Sequence, residues 1–149
     1  MVKDKFEINA VCDLAVSSLM SKNREDVTLS FCRTLPDTEI VGDAKRVMQV
    51  LMQLVGNALK YTYAGSVTVS VVREGSRFVK ILVADTGEGI APENIRRVFD
   101  RFFRANTSEL GNGLGLAICK ALVRQMGGEI GVDSKLGVGS TFWFSVPVA

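Results

Sequence analysis

The chain has 149 residues, carries 18 Lys and Arg against 16 Asp and Glu, and contains no histidine. The missing histidine excludes Ser-His-Asp and Cys-His nucleophiles, histidine zinc ligands and an imidazole proton shuttle within this chain. The net charge of +2 is scattered rather than arranged as a basic stripe, so we expect no nucleic-acid binding.

Cysteine usage and hydropathy indicate the compartment. Cys12, Cys32 and Cys119 are dispersed, odd in number and without a CxxC pair, which is typical of reduced thiols in a cytoplasmic protein. No run of residues is long and apolar enough to span a bilayer, and no apolar signal region follows Met1. We therefore expect a cytoplasmic segment without direct membrane contact, even if its parent protein is membrane-bound.

The first half of the chain predicts two strands and two helices. Residues 5–8 resemble a short strand, and Asn9 is placed to cap a helix that ends near residue 22. Residues 27–33 alternate with a β-branched bias and predict a second strand, and residues 43–61 predict the longest helix. The buried face predicted for the first helix comprises Val11, Leu14, Ala15, Ser18 and Leu19.

The second half predicts mostly strands. A short helix is expected near Pro92, since proline favours the first helical turn. The other predicted elements are a hairpin of strands 66–73 and 77–84, a helix over 114–126, and strands over 129–134 and 140–147. Nothing resembling a linker divides the chain, so we expect one domain over residues 1–149. The pattern predicts an α+β fold, a two-layer α/β sandwich whose mixed, mostly antiparallel sheet carries helices on one face.

A polar stripe follows the longest predicted helix. Gln49, Gln53, Asn57 and Lys60 recur at spacings of four, four and three, beside a wide apolar face. One interpretation is a solvated surface. The other rests on Asn57, at the edge of the apolar face, where a half-buried amide needs partners. Its oxygen could bind Mg²⁺ alongside phosphate, and Lys60 could meet phosphate charge.

An acidic turn follows the apolar residues 81–84. A carboxylate at the end of a buried strand is costly unless it binds something, and here Asp85 is followed by Gly87 and Gly89. Asp85 could accept a hydrogen bond from an exocyclic amine such as adenine N6, while the glycines let a flat ring approach the backbone. An ordinary Asp-Gly turn remains the alternative.

A glycine-rich loop, Gly111-Asn112-Gly113-Leu114-Gly115-Leu116, leads into the next helix. It matches neither the P-loop pattern nor the dinucleotide-binding pattern. Free N–H groups and the positive end of a helix dipole would favour an anion, most naturally phosphate. A glycine hinge without a ligand is the alternative.

Taken in order, these three motifs resemble the ATP-binding catalytic domain of sensor histidine kinases, within the GHKL superfamily of gyrase, MutL and chaperone ATPases. The resemblance covers nearly the whole chain. Its parts are an asparagine box at 49–62, glycine boxes at 85–90 and 111–116, a phenylalanine box at 98–104 and a closing strand at 137–142.

The resemblance implies roles for individual residues. Asn57 would bind Mg²⁺, and Lys60 and Tyr61 would lie near the phosphates or ribose. Asp85 would read adenine N6, and Arg104, at the base of a lid over 106–111, would contact the γ-phosphate. The remaining expected pocket residues are Gly87, Gly89, Ile90, Gly111, Gly113, Leu114, Gly115, Leu116 and Thr141.

One departure from the family pattern concerns the reaction. Gln53 stands where the family usually has a second asparagine, and its role toward Mg²⁺ or phosphate stays open. Hydrolytic relatives place a glutamate there to activate water, and a glutamine amide cannot accept that proton. Gln53 therefore favours transfer to a protein acceptor over hydrolysis.

The resemblance implies a two-component histidine kinase domain without its sensor and phosphoacceptor domains. It would transfer the γ-phosphoryl group of Mg-ATP to a histidine on a separate dimerisation segment, with a response regulator downstream. Without a histidine the chain cannot phosphorylate itself in this way. Two alternatives stay open: an inactive, nucleotide-binding interaction module, and a serine-directed relative of the anti-sigma-factor type.

Overall fold

A computed structural model describes residues 3–22, 25–100 and 115–148. Four predicted site residues, Arg104, Gly111, Gly113 and Leu114, lie outside these ranges, as does the predicted lid over 106–111.

Seven strands and four α-helices are found among the described residues. The strands are β1 (Asp4–Glu7), β2 (Val27–Cys32), β3 (Glu39–Gly42), β4 (Gly65–Glu74), β5 (Phe78–Asp85), β6 (Ile130–Lys135) and β7 (Gly139–Pro147). The helices are α1 (Ile8–Leu19), α2 (Ala44–Tyr61), α3 (Pro92–Ile95) and α4 (Gly115–Gln125), with a 3₁₀ turn at Met20–Lys22. Each helix of the described part is too short or too polar to cross a bilayer.

Five strands form the main sheet in the order β2-β4-β5-β7-β6. Only β2 and β4 pair in parallel, and the other neighbours are antiparallel. Helices α1, α2 and α4 all contact strands of this sheet. Buried and less buried residues alternate along β4 and β5, so the helices cover the face that carries the buried residues. The predicted fold class and layer arrangement are confirmed.

Helix α2 is the central element of the helical layer. Asp43 begins it by accepting hydrogen bonds from the backbone nitrogens of Lys45 (3.1 Å) and Arg46 (3.3 Å). Leu51 and Leu54 on its apolar face are fully buried. The chain leaves the helix at Thr62, which is extended. The predicted range of 43–61 agrees with these bounds, and the polar stripe therefore lies on one continuous helix.

The start of α1 differs from the prediction. Glu7, not Asn9, caps the helix, because its Oε1 accepts from the backbone nitrogens of Asn9 (3.3 Å) and Thr38 (2.7 Å). Asn9 is the second helical residue and is fully buried, with its Nδ2 donating to the carbonyl of Leu35 at 3.0 Å. The amide makes a tertiary hydrogen bond, which local sequence does not reveal.

The buried face of α1 also differs in part. Leu14 is 59% exposed, and Ser18, which donates to the carbonyl of Leu14 at 2.7 Å, is exposed too. Both assignments were wrong because the apolar stripe runs along an adjacent row of the helix. The buried residues are Ile8, Asn9, Val11, Cys12, Ala15, Val16 and Leu19.

Strand β3 was absent from the predicted elements. It has four residues and pairs with β1 in antiparallel register, and its Ile40 also forms an isolated antiparallel bridge with Val148. Such a short strand carries too little alternation for the sequence to predict it. Its role is to bring the chain to Asp43, where α2 begins.

Candidate functional site

The acidic turn begins where β5 ends. Asp85 is half-buried, and its Oδ1 accepts hydrogen bonds from the backbone nitrogens of Gly87 (2.9 Å) and Ser140 (3.3 Å). Burial raises the pKa of Asp85 above its usual range, and these two hydrogen bonds oppose the rise. Among the described residues, no hydrogen bond reaches Oδ2, so that oxygen can accept one from a ligand.

The turn packs against the end of α2. A Cβ atom added to Gly87 would lie 2.6 Å from the carbonyl oxygen of Tyr61 and 3.0 Å from Oγ1 of Thr62. Such a contact excludes any side chain at this position. The first glycine box and the C-terminal end of the asparagine-box helix are therefore in direct contact.

The hairpin between β6 and β7 holds the other side of the turn. Gly89 has φ +73°, and a Cβ atom there would lie 2.2 Å from the carbonyl oxygen of Lys135. The backbone nitrogen of Gly137 donates to the carbonyl of Glu88 at 2.8 Å, and that of Ile90 donates to Oγ of Ser134 at 2.8 Å. The backbone of residues 85–90 is thus held from both sides.

The structure places Ser140, rather than Thr141, beside Asp85. In the antiparallel pairing of β5 and β7, Asp85 lies opposite Ser140 and Ala84 lies opposite Thr141. Because neighbouring side chains alternate between faces, the Thr141 side chain emerges on the other face of the sheet from Asp85. Ser140 and Ser134 were missed, since only the register of the sheet brings them to the turn.

The polar stripe of α2 meets the start of α4. A Cβ atom added to Gly115 would lie 2.4 Å from Nε2 of Gln53, so the glutamine side chain rests on the backbone at the beginning of α4. Leu116, the next residue, packs partly buried against the core. The described end of the second glycine box and the asparagine box are therefore adjacent.

Asn57 lies one turn beyond Gln53 and one turn before the end of α2, and it is half-buried. Lys60 is in the last turn, with its Nζ 5.6 Å from the centroid of the Tyr61 ring. Gln53, Asn57 and Lys60 thus lie in a row along α2, from the start of α4 toward the acidic turn.

The residue predicted to bind a metal, Asn57, offers an amide oxygen. No cluster of three or more Cys, Asp or Glu side chains capable of holding a metal occurs in the described ranges. Burial raises the pKa of the Cys12 and Cys119 thiols to about 12, which keeps both protonated. An amide oxygen such as that of Asn57 suits Mg²⁺ when nucleotide phosphates supply further oxygen ligands.

Comparison with known proteins identifies the class. Residues 42–149 match the family described as histidine kinase-, DNA gyrase B- and HSP90-like ATPase. The chain therefore belongs to this family of ATPase domains, and the resemblance inferred from its sequence is confirmed.

Curated relatives are sensor histidine kinases. AruS of Pseudomonas aeruginosa is 46% identical over 116 residues, which cover 72% of this chain and 12% of AruS. RcsC of Escherichia coli is 40% identical over 124 residues, which cover 79% of this chain and 13% of RcsC. The chain thus spans only a small part of the length of these relatives.

Solved structures share the fold. Full-length ShkA in complex with AMPPNP has a TM-score of 0.90 at 34% identity, covering 99% of this chain and 31% of ShkA. A nucleotide-free catalytic domain of the histidine kinase ThkA has a TM-score of 0.87 at 27% identity, covering 99% of this chain and 97% of that domain.

Proposed function

We propose that this chain is the ATP-binding catalytic domain of a two-component sensor histidine kinase. It binds Mg-ATP and transfers the γ-phosphoryl group to a histidine on a separate dimerisation and phosphoacceptor segment, which then serves a response regulator. The observation that carries the proposal is the position of Asp85: a half-buried carboxylate with one oxygen open to a ligand, beside the end of α2. The similarity to sensor histidine kinases supports it.

Asp85 reads the base in this proposal. Oδ1 is engaged by two backbone nitrogens, which orients the carboxylate and directs Oδ2 away from them. Oδ2 then accepts a hydrogen bond from adenine N6. A carboxylate has no proton to donate at neutral pH, so it selects a base that presents an amine at this position.

The phosphates lie along α2 in this proposal. Mg²⁺, when bound, neutralises charge on the phosphate oxygens. Asn57 would hold the metal through its amide oxygen, Lys60 would add a positive charge near the phosphates, and Tyr61 would lie beside the ribose. Backbone nitrogens at the start of α4, near Gly115, would donate to phosphate oxygens, with Gln53 next to them.

The acceptor must come from outside this chain. The imidazole nitrogen attacks the γ-phosphorus, the bond from that phosphorus to the ADP oxygen breaks, and the imidazole releases its proton. The chain has no histidine, so the acceptor lies on another segment. Gln53 cannot accept a proton from water, which favours transfer over hydrolysis. The similarity to sensor histidine kinases favours neither the interaction module nor the serine-directed alternative.

The proposed compartment is the cytoplasm. All three cysteines are free, and two of them are buried. Free thiols are usual where glutathione and thioredoxin keep cysteines reduced. A cytoplasmic domain would also have direct access to ATP.

Nucleotide titration tests the adenine assignment. We expect Asp85→Asn to weaken binding of ATP with Mg²⁺ by about tenfold to a hundredfold, because a hydrogen bond to a charged group is lost. Isothermal titration calorimetry measures the change. Asp133→Asn, the same substitution at an exposed position of β6, is the control and should bind like the parent. Equal affinity of Asp85→Asn and the parent would show that Asp85 does not read the base.

A transfer assay tests the reaction. The chain is mixed with a dimerisation segment that carries a histidine, and γ-labelled ATP is added. We expect acid-labile label on that segment, and none when its histidine is replaced by glutamine. Tight nucleotide binding without any labelling would instead establish a binding module.

A further inference from the structure

Ser134, near the end of β6, makes three hydrogen bonds with its hydroxyl group. Its Oγ accepts from the backbone nitrogen of Ile90 at 2.8 Å and lies 2.7 Å from Oγ of Ser140. It also donates to the carbonyl oxygen of Gly139 at 3.1 Å. A hydroxyl has one proton and two lone pairs, so donation to Gly139 and acceptance from Ile90 and Ser140 satisfy it completely.

These partners connect Ser134 to both ends of the acidic turn. Ile90 is the last residue of the first glycine box, and its nitrogen is bound directly. At the other end, the backbone nitrogen of Ser140 donates to Oδ1 of Asp85. Gly139 also lies against Asp85, since a Cβ atom there would be 2.1 Å from the Asp85 carbonyl oxygen. One hydroxyl thus holds the hairpin residues that contact Asp85 and the residue that ends the turn.

We propose that Ser134 is a positioning residue for base recognition: it fixes the turn from Asp85 to Ile90 against the hairpin of β6 and β7, so that Asp85 is aligned for adenine N6. This inference rests on the proposed function. Ser134 acts through Asp85 and the turn backbone, and it makes no contact with the nucleotide itself.

The physical effect of removing the hydroxyl follows from its partners. In Ser134→Ala, the Ile90 nitrogen and the Ser140 hydroxyl both lose an acceptor in a part-buried region. The turn then samples more conformations, and the entropy lost when nucleotide binding orders it weakens the affinity. We expect ATP to bind about threefold to tenfold more weakly, the effect of one hydrogen bond.

Base selectivity distinguishes positioning from a general loss of structure. Affinity is measured by calorimetry for ATP and for purine riboside triphosphate, which lacks the 6-amino group. In Ser134→Ala, we expect the preference of the parent for ATP to shrink by about threefold or more. Ser30→Ala, at an exposed position of β2 away from the turn, is the control and should leave both affinities unchanged.

A double-mutant cycle with Asp85→Asn tests whether the two residues act together. If Ser134 acts through Asp85, the two substitutions are less than additive in their effect on ATP affinity. Additive effects, or an unchanged ratio of the two nucleotide affinities in Ser134→Ala, would overturn the inference. If Ser134→Ala does not fold, Ser134→Cys, which keeps the shape with a weak acceptor, is measured in the same way and should show the same loss of preference.

Failure of this inference is distinguishable from failure of the proposed function. If Asp85→Asn itself leaves ATP affinity unchanged, the adenine assignment is wrong. If Asp85→Asn weakens binding and Ser134→Ala does not, the adenine assignment stands and the role given to Ser134 is overturned.

Discussion

At the scale of the residue, Asp85 is a charged group that ligand binding requires at a position where burial disfavours charge. Its position at the end of a buried strand disfavours the charged carboxylate, and burial raises its pKa. A ligand that supplies a hydrogen-bond donor would offset part of this penalty. Residues that bind ligands are therefore often destabilising when the site contains only water.

The pKa of Asp85 predicts how stability depends on pH. The folded-state pKa is raised above the ordinary value of 3.8, so the folded protein binds this proton more tightly than the unfolded chain does. At a pH above the raised pKa, the charged carboxylate lowers the free energy of unfolding. This destabilisation disappears as the pH falls from the raised pKa to below 3.8, where the group is protonated in both states.

Asp85→Asn should therefore stabilise the domain at neutral pH while it weakens nucleotide binding. The asparagine Oδ1 can still accept from Gly87 and Ser140, and the buried charge is gone. We expect the Tm at neutral pH to rise by about 2 °C and the difference to vanish in acid. Thermal unfolding across this pH range checks it, with Asp133→Asn as control. A lower Tm for Asp85→Asn at neutral pH would contradict the prediction.

At the scale of the element, the turns and helix ends build the site. Helix α2 has 18 residues, or a length of about 27 Å, and carries Gln53, Asn57 and Lys60 along that length. Its apolar face fixes its rotation against the sheet, which directs the polar stripe toward α4 and the acidic turn. The turn after β4 and the turn after β5 each contain a glycine with positive φ, and these two glycines differ in how closely other atoms pack against them.

Gly89 and Gly75 form a matched pair. Both have positive φ, +73° and +66°, but a Cβ atom at Gly75 would meet nothing within 4 Å, whereas one at Gly89 would lie 2.2 Å from the carbonyl of Lys135. We expect Gly75→Ala to lower the free energy of unfolding by about 1–2 kcal/mol, the left-handed backbone penalty alone.

Gly89→Ala should lower it further and also weaken ATP binding, because the acidic turn must separate from the β6–β7 hairpin. Urea unfolding and nucleotide titration of both variants measure the two effects. Equal behaviour of the two variants would mean that the close packing at Gly89 contributes nothing.

At the scale of the whole molecule, the sheet brings distant segments together. Asp85 and Ser140 are 55 positions apart in the chain and share a hydrogen bond, and Ile90 and Ser134 are 44 apart. Residues this distant meet only because β5, β7 and β6 are neighbours in the sheet. The site therefore depends on strand order and register, and not on any one motif.

The sequence by itself determined the class of fold and, to within one residue, the bounds of α2 and of the β4–β5 hairpin. It also singled out Asp85 and the glycines after it as candidate site residues. These follow from local periodicity, capping residues and turn chemistry, which are properties of neighbouring residues. Tertiary structure decided that Ser140 rather than Thr141 meets Asp85, that Ser134 holds the turn, and that Glu7 rather than Asn9 caps α1. A shift of one residue in strand pairing moves a side chain to the opposite face, and long-range register sets that pairing.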